Sequence, residues 1–309
     1  MPRAKQCKKL VIFGDLRKEA VARAIREFQG FVKGKADIVA CCAADECSHE
    51  TLKQSHYAVV FGGDGSIISA ARTVSPTDVP IIGVNLGKLG FLAEFSVEEL
   101  KLLLDKVIRA ELNIERRMML ACEVFTQEGR PVITPRDFHE MKEAQERHLG
   151  TEIFHAHAVN DIFITAGPPF RMIELEIFVN GQCLASCTSD GLIVATPTGS
   201  TAYNLSAGGP ILTGSLKAIV VTPICPHSLS FRPIVIDPAS TVEIVASHVN
   251  SGTTISIDGQ VPWNFGVDDM IRIQKAENDF LVVNNPLRNC FETLATKLGW
   301  AGRPRYEGS

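Results

Sequence analysis

The chain has 309 residues, enough for one large domain or two ordinary ones, and its 45% apolar and 21% charged content supports a packed core and excludes global disorder. With 31 basic residues against 35 acidic ones the net charge is −4, which argues against a general binder of nucleic acid or anionic membranes. No apolar run nears the roughly 20 residues of a membrane span. Leu10–Phe13 is too short for a signal-peptide core, and nine irregularly spaced cysteines do not form a disulfide framework, so a reduced, cytoplasmic chain is expected.

The first third alternates between strand and helix. Leu10–Gly14 reads as a buried strand, and residues 16–32 as a helix with Val21, Ala24, Ile25, Phe28 and Val32 on one face. Asp37–Cys42 and Ala58–Phe61 read as strands, the latter closed by Gly62-Gly63-Asp64-Gly65 and followed by a helix through Ile67, Ile68, Ala70 and Ala71. Pro80–Val84 is a fourth strand. Ser96-Val97-Glu98-Glu99 is a capping box that opens a helix running to about Glu111. Such alternation predicts a parallel sheet with helices on both faces. Beyond residue 112 the pattern becomes β-rich. Asn180-Gly181 marks a hairpin, Asp258-Gly259 a weaker one, and strands are expected at Ile219–Thr222, Ile234–Ile236, Val242–Ala246, Met270–Ile273 and Phe280–Val283. The expected organisation is an α/β domain over 1–112, a β-rich, sandwich-like domain over 113–285, and a last helix within 286–309. The polar segment 126–155 reads as a surface excursion or a short helix using Phe138, Met141 and Leu149.

Two constellations carry chemistry. In Gly62-Gly63-Asp64-Gly65-Ser66, at a strand's end and a helix's start, the glycines permit close approach to a ligand, and backbone N–H groups there suit phosphate. A carboxylate among them does not serve phosphate binding. It suits proton transfer from a hydroxyl, Mg²⁺ binding, or plain capping of the helix. The second constellation, Asp190-Gly191 through Thr196-Pro197-Thr198-Gly199-Ser200-Thr201-Ala202-Tyr203, runs a strand into a row of hydroxyls. These suit a ribose, a purine edge or a phosphate, or else form a Ser/Thr-rich turn.

Together these motifs resemble the NAD kinases along almost the whole chain. The resemblance includes Asn85-Leu86-Gly87, Leu89-Gly90-Phe91-Leu92, Asn160-Asp161, Thr196–Pro210 and Asp258-Gly259-Gln260, and Thr296-Lys297-Leu298-Gly299-Trp300 resembles the Gram-negative branch. It implies a Rossmann-like domain, a β-rich domain, and a last helix that packs back on the first. It also implies phosphoryl transfer from Mg²⁺-bound ATP to the 2′-hydroxyl of the adenosine ribose of NAD. Asp64 would be the base, Gly65 would lie beside the ribose, and Gly62, Gly63, Gly65 and Ser66 would form the phosphate region. Asn160 and Asp161 would hold the adenosine part, and Asp190 would face the nicotinamide-side ribose. Thr201, Ala202, Tyr203, Asn204, Leu205 and Ser206 would wrap the nucleotide, with Arg171 and Gln260 as further contacts. A homodimer or homotetramer is implied, with small molecules as the only other partners and no fixed protein metal site.

Two departures stand out. Asp161 replaces the family's usual Glu, which shortens the reach, and Thr188 stands where Gram-negative members carry Arg near a position that separates NAD from NADH. Alternatives are a non-catalytic dinucleotide sensor, or a lipid or sugar kinase sharing the Gly-Gly-Asp-Gly motif. His155 and His157 are expected to diverge to opposite faces, which disfavours a metal pair, and His227 reads as structural. Lys88 and Arg232 are open to phosphate or surface roles, and Arg116-Arg117 reads as an exposed pair.

Overall fold

The computed structural model describes residues 7–87, 90–126 and 150–299. The chain divides into two compact units, Met1–Arg116 with Phe280–Ser309, and Arg117–Asp279. The first begins with β1 (Lys8–Gly14), α1 (Glu19–Val32), β2 (Ala36–Cys42), α2 (His49–Lys53), β3 (Tyr57–Phe61), α3 (Asp64–Val74), β4 (Ile81–Val84), α4 (Val97–Ile108) and β5 (Ile114–Arg117). β1, β2, β3 and β4 pair in parallel, and every residue of β3 is buried, as a sheet covered on both faces requires. The capping box forms as read: Ser96 Oγ accepts the Glu99 N–H at 3.1 Å, and Glu99 accepts the Ser96 N–H at 2.9 Å.

The second unit comprises β6 (Leu120–Thr126), β7 (Thr151–Ala158), β8 (Asp161–Thr165), β9 (Ile173–Val179), β10 (Gln182–Ser189), β11 (Gly191–Ala195), α5 (Tyr203–Ser206), β12 (Ile219–Ile224), β13 (Ile234–Ile236), β14 (Val242–His248), β15 (Thr254–Ile257), β16 (Val261–Asn264) and β17 (Asp269–Lys275). They form two six-stranded antiparallel sheets, in the orders β10-β9-β14-β17-β6-β7 and β13-β12-β11-β8-β15-β16. Alternate residues of both sheets share one core, among them Leu120, Ile162, Leu175, Leu192, Val221, Ile244, Ile255 and Ile271. On β11 the intervening residues Ile193 and Ala195 face outward. There they pack with Phe163, Val220, Ala207 and Leu212, so the chain after β11 folds over the outer face of its own sheet. Both hairpin turns carry two central residues at positive φ: Asn180 (52°) and Gly181 (72°), then Asp258 (54°) and Gly259 (64°).

The chain then returns to the first sheet through β18 (Phe280–Val283) and ends, among the described residues, with α6 (Cys290–Leu298) and Gly299. The first sheet reads β2-β1-β3-β4-β18-β5, with β18 parallel to β4. This corrects the expectation that Phe280–Val283 continues the β-rich series. A short apolar run suits either sheet, and only long-range pairing decides between them. α6 is tied down by its approach segment. The Asn285 amide donates to the Glu94 C=O (3.0 Å) and to Glu99 (3.2 Å), and Arg288 donates to Glu99 at 2.6 Å. Burial opposes it, but the Ser96 N–H and Arg288 hold the Glu99 carboxyl below the usual range.

Two further expectations meet the structure. Thr151–His155 belongs to β7, and the helix considered around Phe138, Met141 and Leu149 lies outside the described residues, as does Lys88. Arg117 is buried rather than exposed, because its guanidinium packs against Gly214, whereas Arg116 is exposed and pairs with Asp78 at 3.7 Å.

Candidate active site

In the first unit the motif lies where β3 ends and α3 begins. Gly62 closes the strand, its N–H donating to the Val84 C=O at 2.9 Å, and Gly63 is the N-cap of α3. A Cβ on Gly63 would meet nothing within 4 Å, so the fold itself does not require glycine there. Ser66 and Gly65 are exposed in the first turn of α3.

Asp64, the first helical residue, reaches sideways to the segment after Gly90. Its Oδ2 accepts the Phe91 N–H (2.8 Å), and its Oδ1 accepts those of Leu92 (3.0 Å) and Ala93 (3.1 Å). The carboxylate is therefore held by the backbone of 91–93. A Cβ on Gly90 would overlap this carboxylate, which explains the glycine of Gly90-Phe91-Leu92. Lys297, in the last turn of α6, places its Nζ 3.9 Å from Asp64 Oδ2 and 4.3 Å from the Phe91 ring centre. Sequence reading gave Lys297 no role, and the only signal for it was its place in the terminal motif.

In the second unit a second carboxylate plays a similar part. Asp258, in the β15–β16 turn, accepts N–H groups of Val159 (3.1 Å), Asn160 (2.7 Å) and Asp161 (3.3 Å). This fixes the backbone of the Asn-Asp pair at the start of β8. Asn160 is half-buried and its C=O takes the Thr196 N–H at 2.8 Å. Asp161 is 2% exposed, and its Oδ2 has no hydrogen-bond partner. Burial, and then the Asp258 charge, push its carboxyl up to about 7 against the opposing pull of the Tyr203 N–H.

The hydroxyl row is spent mostly on itself. Thr196 Oγ1 donates to the Val159 C=O (2.6 Å) and accepts the Gly199 N–H (3.0 Å). Ser200 Oγ is within 2.6 Å of the Pro197 C=O and accepts the Leu212 N–H at 2.9 Å. A Cβ on Gly199 would overlap the Asn160 backbone. Asn204 is fully buried. Its amide donates to the Ser200 and Pro210 C=O groups (3.2 and 3.1 Å), and its Oδ1 accepts from Thr222 at 2.7 Å. The Asn204 side chain thus staples the loop. Thr201 is half-buried and bonds back to the Thr198 C=O at 3.3 Å. Ala202 and Leu205 are half-buried and Ser206 is exposed. Tyr203 is 37% exposed, its ring edge-on to Phe163 at 5.0 Å.

Of the remaining expected residues, Arg171, Asp190 and Gln260 are exposed and Thr188 is half-buried on β10. The backbone of Asp190 bridges Ile224 (3.0 Å) and Ala166 (2.9 Å), leaving its side chain outward. His227 is exposed, and its N–H donates to the Thr188 C=O at 2.9 Å. Arg232 folds onto the Leu229 and Phe231 C=O groups, both at 2.7 Å. His155 and His157 do not diverge. Residues two apart on a strand share a face, and their Nε2 atoms stand 3.4 Å apart, as in an imidazole–imidazole hydrogen bond. Among the described residues no three His, Cys, Asp or Glu gather as a metal site.

Comparison with known proteins agrees with both halves. Residues 17–112 match the ATP-NAD kinase N-terminal domain and residues 159–285 the ATP-NAD kinase C-terminal domain. The chain is 42% identical to the NAD kinase of Syntrophotalea carbinolica over 79% of this chain and 78% of that one. To the NAD kinase of Rhodopirellula baltica it is 33% identical over 96% and 88%. Among solved structures it superposes on yeast NADH kinase complexed with NADH with a TM-score of 0.80 at 26% identity, covering 100% of this chain and 94% of that one. An NAD kinase from Archaeoglobus fulgidus in complex with ATP shares the fold, with a TM-score of 0.67 at 24% identity over 94% and 98%.

Proposed function

The chain belongs to the NAD kinase family, and from that premise we propose that it transfers the γ-phosphoryl group of ATP to the 2′-hydroxyl of the adenosine ribose of NAD, giving NADP and ADP. The observation that carries the reading is the Asp64 carboxylate, fixed by three backbone N–H groups beside phosphate-suited glycines. A sensor needs no such group.

In the transfer a ribose oxygen forms its bond to phosphorus as the bond to ADP breaks, and the hydroxyl proton passes to Asp64. The transition state is largely dissociative, so the proton leaves late, and the protein's work is positioning and charge stabilisation. A rigidly held carboxylate with acceptor capacity left on Oδ2 suits that work. Gly62, Gly63, Gly65 and Ser66 face the donor phosphates, and Gly65 also lies beside the ribose; the open space at Gly63 supports this. Asn160 and Asp161 hold the adenosine part, Asp190 meets the nicotinamide-side ribose, and Arg171 and Gln260 add contacts. From the 201–206 segment Tyr203 and Ser206 are the exposed groups, and Thr201, Ala202 and Leu205 contribute wall and backbone.

Mg²⁺ fits as a guest of the ATP phosphates, since it keeps most of its ligands as water and phosphate and needs one or two carboxylates at most. The phosphates and water would hold it, which leaves Asp64 for the hydroxyl proton. When bound, the ion neutralises phosphate charge. Thr188, short and half-buried, leaves room for NADH as well as NAD. The exposed apolar residues Leu229, Ile234 and Val235 support a homodimer or homotetramer. Nine free thiols support a reducing, cytoplasmic setting, and no helix among the described residues is long and apolar enough to cross a membrane.

The test is a one-pot assay with NAD, ATP and Mg²⁺, reading NADP through an NADP-specific dehydrogenase, with NADH and polyphosphate in parallel tubes. NADP formation is expected. Folded protein that binds NAD without product would instead be a sensor. Neither binding nor product would redirect the search to lipid and sugar hydroxyls.

A further inference from the structure

Resting on the kinase reading above, we propose that Lys297 is the cation that meets the transferring phosphoryl group, reached from its place beside Asp64. Asp64 spends three acceptor positions on the backbone N–H groups of 91–93, two at Oδ1 and one at Oδ2. A carboxylate offers about four such positions, so acceptor capacity remains at Oδ2. That is the oxygen nearest Lys297, at 3.9 Å. The separation is longer than a hydrogen bond, so the ammonium neighbours the carboxylate without occupying its lone pair.

The second foothold of Lys297 is the face of Phe91, at 4.3 Å. For a partly exposed ammonium such a contact is weak, so the head can move at little cost. The backbone beneath it is anchored: Leu294 is buried, and Arg288 and Asn285 bind Glu99 just before α6. A fixed stem with a movable point charge is the arrangement a lysine brings to phosphate. Charge in this transition state spreads over the equatorial phosphoryl oxygens, beside the residue that takes the hydroxyl proton. Once the ribose hydroxyl takes the remaining acceptor position of Oδ2, Lys297 pairs with those oxygens. The terminal Thr-Lys-Leu-Gly motif thereby gains a chemical reason: Gly299, in the left-handed conformation (φ 62°), ends α6 two residues after Lys297.

The test is steady-state kinetics on the full chain, with ATP and NAD varied separately, for wild type, K297R and K297M. We expect K297M to lose roughly 10- to 100-fold in kcat/KM for ATP. Its KM for NAD and its melting temperature should stay near those of the wild type, and K297R should recover most of the loss. An ATP profile for K297M within two-fold of wild type would overturn the inference. So would a K297R as impaired as K297M, which points to packing. If K297M does not fold, K297R decides alone: near-wild-type turnover with a raised salt sensitivity supports the charge, and loss of turnover in folded protein refutes it. Wild type in the same assay separates the two claims, because no NADP from it fails the kinase reading itself.

Discussion

Two carboxylates in this molecule sit in the same kind of cradle and have opposite neighbours. Asp64 accepts three backbone N–H groups from 91–93, and Asp258 accepts three from 159–161. Beside Asp64 stands the ammonium of Lys297, whereas beside Asp258 stands the buried carboxyl of Asp161. A carboxylate held by the backbone is a fixed negative point, and the neighbour decides its use. A cation next to it places positive charge beside the carboxylate. An acid next to it is favoured in its protonated form. One geometry thus carries opposite charge environments in the two units.

The comparison breaks most visibly at Asp64. Asp64→Asn keeps the size but presents an amide to three N–H donors, and kcat is expected to fall by about 10²- to 10⁴-fold while NAD binding persists. Unchanged turnover, measured alongside NAD affinity by calorimetry, would remove Asp64 from the proton's path.

Next comes the acid beside Asp258. The folded state raises the Asp161 carboxyl to about 7, so it binds the proton more tightly than the unfolded chain does. That contribution to stability is full below about pH 4, declines as pH rises, and is gone above about 7. Asp161→Asn should remove this slope and stabilise the protein at pH 8 by about 2–4 kcal/mol relative to wild type. Urea midpoints at pH 5 and pH 8 decide it, and parallel slopes for the two proteins would mean that Asp161 does not titrate there.

A smaller effect separates two glycines of the first cradle. Gly90→Ala drives a methyl into the Asp64 carboxylate and should cost about 1–3 kcal/mol of stability together with most of the activity. Gly63→Ala meets open space and should cost no more than about 1 kcal/mol, so any larger loss of turnover reports a ligand at that point. Equal melting losses for both would contradict the described cradle. Smallest is Thr188→Arg, outside both cradles, expected to shift the NAD-to-NADH preference by about 10-fold toward NAD at unchanged stability. Identical ratios in paired assays would detach Thr188 from acceptor choice.

Much of the fold was legible from residues close in sequence. The Ser96–Glu99 capping box, the Asn180-Gly181 turn and the strand–helix alternation of the first third depend on local geometry, and each appears where its residues stand. The site was legible as a set of segments but not as a set of contacts. The Thr196–Tyr203 hydroxyls looked like ligand groups. Thr196 and Ser200 instead satisfy buried carbonyls in a loop folded over its own sheet. Asp64 stands among glycines in the sequence, yet its partners lie 27 to 29 residues away.

The sequence by itself determined the alternating α/β start, the β-rich middle, the tight turns and the motifs that mark the family, since periodicity, capping and turn chemistry act over a few residues. Tertiary structure alone decided that Phe280–Val283 joins the first sheet and that Asn204 is a staple. It also decided that Asp161 meets Asp258 and that Lys297 meets Asp64. Each of these is a pairing of distant groups, set by which buried donors and acceptors must find partners once the sheets have closed.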